Sequence, residues 1–279
     1  PWLTQKNNNF HNTEDRIRGI RFQACNELNC AKAFNILLTN SIYSRETILR
    51  VYNLESNVCY LGIDTDFYKP TEEQKENFVV GLGTIYHAKG IDRAIRALGT
   101  IPQNIRPDLI WVGNGVCSIA LNSYRRLAQE LDVNLSTRIN ISDDEVKSLL
   151  SRAALMLYTP RLEPFGLAPL EANACGTPAI GIAEGGLKET IVNGVNGYMV
   201  NGDKPKLIGE KIIAIMTDKE KLRKLSESSR KHVVERWNIE NCTSNIERYL
   251  FTLKAIKMDS SEIESKTFNH LEELSYNPK

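Results

Sequence analysis

The sequence predicts an α/β fold: a doubly wound parallel sheet of Rossmann-like type. Two observations carry that expectation. From about residue 77 onward, short β-rich runs alternate with helical patterns. The strand runs are also continuously apolar, as in Leu109-Ile110-Trp111-Val112 and Ala154-Leu155-Met156-Leu157. Strands that face helices on both sides read this way, whereas a half-solvated sheet would alternate.

Taken in order, residues 1–62 begin rich in Asn and turn formers. They hold one helix-like stretch, Ser44 to Tyr52, and one strand, Val58 to Leu61. That is too little to close a sheet, so the segment is expected to be the end of a neighbouring domain. Residues 63–76, with Pro70 and Thr71-Glu72-Glu73, read as a linker. The α/β domain then spans 77–256. Phe78 to Gly83 is its first strand. The helix Lys89 to Leu98 follows, with Ile91, Ala94, Ile95 and Leu98 at helical spacing. Asp108 to Gly113 is a strand, Ile119 to Leu131 a helix and Thr137 to Ile141 a strand. Ser142-Asp143-Asp144-Glu145 has the form of a capping box and opens a helix ending near Arg152. Ala154 to Tyr158 is a strand, Gly166 to Ala174 a helix, Pro178 to Ile182 a strand and Leu187 to Val192 a short helix. Tyr198 to Val200 is the last strand, followed by helices over about 204–216, 219–235 and 239–256. Residues 257–279 read as a polar tail with a weak helical pattern at Ile263, Phe268, Leu271 and Leu274.

Composition removes several function classes. The 279 residues carry 35 Lys and Arg against 34 Asp and Glu, a formal charge of +1. So balanced a chain has no overall field for wrapping nucleic acid. Its apolar content is too high for a disordered chain, and no apolar run approaches the ~20 residues of a membrane span. The first residues contain no apolar core of a signal peptide. The six cysteines are scattered without a CxxC pair, and most sit beside apolar residues. They are expected to be buried free thiols in a reducing, cytoplasmic protein. The chain starts at Pro1, so it is expected to be a fragment or a processed product.

Ligands of doubly wound sheets bind beyond the carboxyl ends of the strands. The richest stretch there is Pro160-Arg161-Leu162-Glu163-Pro164-Phe165-Gly166-Leu167-Ala168-Pro169-Leu170-Glu171. Gly166-Leu167 opens a helix whose first-turn amides and dipole suit a phosphate. Glu163, just outside the helix mouth, is placed to accept hydrogen bonds from sugar hydroxyls. Glu171, one turn further in, can take both hydroxyls of a ribose. Two carboxylates flanking an anion hole match a sugar–diphosphate–nucleoside.

Glu163-x7-Glu171 within EPFGLAPLEANACGTPAI resembles the E-x7-E signature of retaining GT-B glycosyltransferases of family 4. Gly83-x5-Lys89-Gly90 is similar to that family's G-R-x4-K-G loop, and Val112-Gly113-Asn114-Gly115 to its VGxG turn. Glu184-Gly185-Gly186-Leu187-Lys188-Glu189 matches its GG-x-x-E turn, Asn193 to Gly197 its NGxNG turn, and Gly62-Ile63-Asp64 the start of its interdomain linker. The resemblance covers about residues 40–250. It implies the C-terminal, donor-binding half of a GT-B fold, with a remnant of the acceptor half before it. By resemblance, Lys89 binds the donor diphosphate and the Gly166 and Leu167 amides hold the distal phosphate. Glu163 contacts the transferred sugar and is the catalytic candidate, Glu171 holds the ribose, and Phe165 and Thr84 belong to the donor site. The implied reaction transfers a hexose from a GDP-sugar or UDP-sugar to an acceptor hydroxyl, with retention. It uses no metal and no cofactor. The implied partners are the donor, a sugar or lipid-linked acceptor and the absent N-terminal domain, through which peripheral membrane contact would run.

One departure stands out: the family's Arg falls at Thr84, so half of the diphosphate clamp is absent, and either donor affinity is weaker or Lys188 or Arg161 supplies the second positive charge. The rival readings are a nucleotide-sugar-binding module without turnover, an epimerase of the same plan, and an NAD-dependent oxidoreductase. For the last, Gly81-x-Gly83 and Gly113-x-Gly115 lack the third glycine. Asp64-Thr65-Asp66 has the form of a metal–nucleotide D-x-D but reads as an accidental match in a linker.

Overall fold

The computed structural model describes residues 13–115 and 117–258. In chain order the elements are α1 (Thr13–Lys32), β1 (Leu38–Thr39), α2 (Ile42–Tyr52), β2 (Asn57–Val58), β3 (Glu76–Leu82), α3 (Ile91–Gly99), β4 (Asp108–Gly113), α4 (Ser118–Glu130), β5 (Leu135–Ile139) and α5 (Asp143–Arg152). They continue with β6 (Ala153–Tyr158), α6 (Leu167–Ala174), β7 (Ala179–Ile182), α7 (Leu187–Thr190), β8 (Gly197–Val200), α8 (Pro205–Met216), α9 (Lys219–Arg236) and α10 (Ile239–Met258).

Six strands form one all-parallel sheet in the order β5-β4-β3-β6-β7-β8. The chain builds outward from β3 to β5, then returns to place β6 on the other side of β3. The expected doubly wound sheet is therefore present, and β3/β6 is its switch point. Alternate residues of each strand feed two separate cores. Val79, Leu109, Trp111, Leu155 and Leu157 pack with Ile95 of α3 and Ile212 of α8. Phe78, Val80, Met156 and Tyr158 pack with Leu150 of α5 and Ala172 of α6. Gly81 is small because the Trp111 ring lies against it, 2.2 Å from where a Cβ would stand. A third cluster joins Ile63 of the linker to Phe165, Leu170, Val233 and Trp237. Arg230 of α9 closes the same region, donating to the carbonyls of Tyr68, Ala174 and Thr65.

Several boundaries move, for local reasons. The Ser142 half of the capping box forms, its Oγ accepting from Glu145 N at 3.3 Å. The strand expected at 137–141 instead covers Leu135–Ile139, because Asn140 turns into the left-handed region at φ 55°. Lys89 lies in a 3-10 turn, His87–Lys89, and α3 begins only after Gly90. The N-terminal segment holds more than one helix and one strand. It has the additional helix α1, and β1 pairs in parallel with β2, which is shorter than the strand expected at 58–61. The α1 sequence has no sustained apolar stripe, and in the structure the helix is largely exposed. Of the six cysteines, only Cys59, Cys175 and Cys242 are buried; Cys25 and Cys30 are exposed on α1 and Cys117 is half-buried. The polar-tail expectation lies, from residue 259, outside the described residues, and 257 and 258 still belong to α10. Asp64 caps its own turn, its Oδ1 accepting from Asp66 N and Phe67 N. Among the described residues, no helix is long and apolar enough to cross a membrane.

Candidate functional site

The loops after β3 and β6 meet at the switch point, and glycines let them do so. Gly90 has φ 77°, and a Cβ there would stand 2.2 Å from Thr159 O. Thr159 Oγ1 donates back to Gly90 O at 2.8 Å. Gly83, at φ 148°, leaves room for the Lys89 stem, whose Cγ and Cδ pass 3.2 Å from the Cβ position. Lys89 is thereby delivered to Glu163, with Nζ 3.3 Å from Oε2. The lysine side chain is 34% exposed and the glutamate 17%. This is a paired charge at the rim of the crevice, open to a ligand.

The β6 chain then enters α6 through Gly166 at φ 97°, and no side chain caps that helix. Its first-turn amides and the positive end of its dipole lie beside Glu163. Glu171 sits half-buried one turn along α6. Its carboxyl is pushed up to about 7, first by burial and then by the negative charge of Asp143. The Tyr158 hydroxyl ends β6 between these groups. Burial raises its pKa most, followed by the charge of Glu163, a hydrogen bond to it, and the charge of Glu171. The crevice thus gathers Lys89, Glu163, the α6 amides and Glu171, four features that the sequence placed in two distant loops.

Other expected donor-site residues fare differently. Phe165 is 2% exposed, its ring 6.0 Å from Tyr60 and 5.5 Å from Trp237. Its side chain is core, and it fastens the loop that carries Glu163. Leu167 is 37% exposed at the helix mouth. Thr84 is exposed, and its hydroxyl meets Asn114 Oδ1 at 3.2 Å. Arg161 is paired with Glu184 at 2.5 Å, and Lys188 is exposed. A cation missed in the sequence is Arg93, whose guanidinium reaches Thr159 O at 3.4 Å and Asp203 at 3.0 Å. Its position four residues after Lys89 was the signal available for it.

Gly185 and Gly186 act by close approach. A Cβ on Gly186 would stand 2.0 Å from Pro164 O, and Gly186 N donates to Glu163 O at 2.8 Å. Gly186→Ala is therefore expected to destabilise the fold by about 2–3 kcal/mol, read as a fall in thermal midpoint. A midpoint equal to the parent's would show that the loop gives way freely. The NGxNG turn is structural. Asn196 Nδ2 donates to Asn173 Oδ1 and Thr190 O, and its Oδ1 accepts from Val192 N.

The family model for glycosyl transferases group 1 matches residues 62–232, more than half of the chain. The chain belongs to this family. Its fold is the Rossmann-like half of the GT-B type. It is 28% identical to the N-acetyl-alpha-D-glucosaminyl L-malate synthase of Bacillus anthracis, over 72% of this chain and 52% of that protein. It is 24% identical to D-inositol 3-phosphate glycosyltransferase 1 of Catenulispora acidiphila, over 70% of this chain and 52% of that one. The chain spans about half the length of the curated relatives it matches. Among solved structures, Anabaena HepE in complex with UDP and glucose superposes with a TM-score of 0.75 at 22% identity, covering 82% of this chain and 66% of that one. Sucrose-phosphate synthase from Thermosynechococcus elongatus gives 0.75 at 22%, covering 84% and 62%. These two likenesses speak to fold alone.

Proposed function

We propose that this chain binds a nucleotide diphosphate sugar in the β3/β6 crevice, and that the protein it serves transfers the hexose to an acceptor hydroxyl with retention and without a metal. The observation that carries the reading is the Lys89–Glu163 pair beside the uncapped start of α6. In this arrangement the diphosphate lies across the α6 amides and takes Lys89 as counter-charge. The acceptor oxygen bonds to the anomeric carbon and gives its proton to the departing phosphate. When the bond from that carbon to the phosphate oxygen breaks, the electron pair stays on the phosphate oxygen. Lys89 and the helix dipole stabilise it there, the task a divalent cation performs elsewhere. Glu163 holds the sugar hydroxyls and Glu171 the ribose. Thr84 contributes no charge, so Arg161 or Lys188 completes the clamp. The named relatives act on sugars or inositol phosphate, and HepE holds UDP and glucose, which supports a sugar donor here. The second reading, donor binding without turnover, draws on the chain's covering about half of its relatives.

Titration calorimetry with UDP-glucose and GDP-mannose tests the donor reading, and a transfer assay separates the two versions of it. The pH dependence is specific to Glu171. Ribose hydroxyls donate to the ionised carboxylate, so binding pulls the proton off a group that otherwise holds it to about pH 7. Affinity is expected to rise by about tenfold between pH 6 and 8, with proton release in the binding enthalpy. A flat profile would remove Glu171 from the ribose site.

A further inference from the structure

Helix α7 joins two regions that the donor site alone does not connect. On one side it grips the loop carrying Glu163. Gly186 N donates to Glu163 O at 2.8 Å, and Thr190 Oγ1 donates to Phe165 O at 3.3 Å. Leu187 and Thr190 are both fully buried there. On the other side Glu189 reaches out to the segment that precedes the linker. Its Oε2 accepts from Ile42 N at 2.9 Å and from the Tyr60 hydroxyl at 2.9 Å, and its Oε1 accepts from Tyr43 N at 3.1 Å. Ile42 and Tyr43 open α2, where amides have no partner within the helix. A carboxylate there also meets the positive end of the helix dipole. Ser41 serves Ser44 N, so a residue of the same segment and one from 147 positions away divide the capping of α2 between them.

A second route runs in parallel. The Tyr60 ring packs 5.3 Å from Trp237 in an edge-on contact and 6.0 Å from Phe165, two residues past Glu163. Both routes begin in residues 42–60 and end on the loop 163–165. An acid serving only to cap a surface turn would need neither the tyrosine nor the buried seat of α7.

We propose that Glu189 is a positioning residue: it latches the segment 42–60 onto α7 and, through α7, sets where Glu163 stands in the crevice. The link from the latch to turnover rests on the donor reading above, whereas the latch itself does not.

The test uses Glu189→Ala and Glu189→Gln in the full chain, with UDP-glucose as probe. Amide exchange is expected to rise at least about tenfold at Ile42 and Tyr43 in the alanine variant, and to rise at Gly186, whose N–H holds Glu163 O, as well. UDP-glucose affinity is expected to stay within about twofold, because Lys89, the α6 amides and Glu171 are untouched. The rate of UDP release at saturating donor, with water taking the glucosyl group in the acceptor's place, is expected to fall about tenfold. The glutamine variant, which keeps an oxygen for Tyr60 and one amide, is expected to recover part of that rate. Exchange raised at 42–43 with release unchanged would overturn the coupling, and so would affinity lost in step with rate. If the parent chain releases no UDP, only the turnover version of the donor reading fails; a parent chain that binds no UDP-glucose fails it altogether. The latch is then decided by exchange at Gly186: raised in the alanine variant, it stands; unchanged, it falls.

Discussion

Replacing Glu171 by alanine or glutamine is expected to weaken UDP-glucose binding by roughly a hundredfold, the loss of about two charge-assisted hydrogen bonds of 1.5 kcal/mol each. The same change is expected to stabilise the free protein at pH 8. The folded carboxyl titrates at about 7, above its ordinary value of 4.5. The folded state therefore holds this proton more tightly than the unfolded chain does. Its contribution to stability is present in acid and lost as pH rises through about 7. At pH 8 the folded protein carries a half-buried charge that it would hold more cheaply as a neutral amide. Glu171→Gln is thus expected to raise the thermal midpoint at pH 8, by about 3 °C or more, and to leave it nearly unchanged at pH 4. Calorimetry reads the loss of binding, and thermal scans at the two pH values read the gain in stability. A variant that binds UDP-glucose as well as the parent would sink the ribose assignment.

The other large effect is expected at Glu163. Glu163→Gln removes the carboxylate that meets the sugar and releases Lys89 from its 3.3 Å pair. A lysine without that partner is freer to meet the diphosphate, so affinity is expected to hold or tighten slightly. Turnover is expected to fall by about a hundredfold or more, the scale seen when a preorganised electrostatic contact to the reacting centre is lost. The diagnostic result is the split: kcat falls while KM does not rise. If both constants keep their parental values, Glu163 is only a loop acid that neutralises Lys89.

How much of this was legible before folding depends on the range of the interactions. The doubly wound sheet follows from local signals. Unbroken apolar runs such as Ala154 to Leu157 demand cover on both faces, and Ser142 announces the start of α5 within four residues. The Gly166 helix mouth and the spacing of Glu171 from it are likewise local, since one helical turn fixes them. The burial of Phe165 was not legible, for an equally clear reason. Its burial comes from Tyr60 and Trp237, more than seventy residues away on the far side of Glu171 and about a hundred before it, and neither is visible from its neighbours. Helix α1 was missed because it lacks an apolar stripe, the pattern that marks a helix packed on a core. Arg93 was passed over because its role depends on Thr159 O, a carbonyl at the end of another strand.

The sequence by itself determined the alternation of strands and helices, and it named the loops of the candidate site and the candidate pair of glutamates. Each of these rests on period, capping or turn chemistry within a few residues. Only the tertiary structure decided which loops meet. It set Lys89 of the β3 loop against Glu163 of the β6 loop, raised the Glu171 carboxyl by burial, and turned Glu189 from a turn residue into a partner of α2. The physical reason is shared. Desolvation and ion pairing are set by what lies across space, and along this chain those neighbours are tens to more than a hundred residues apart.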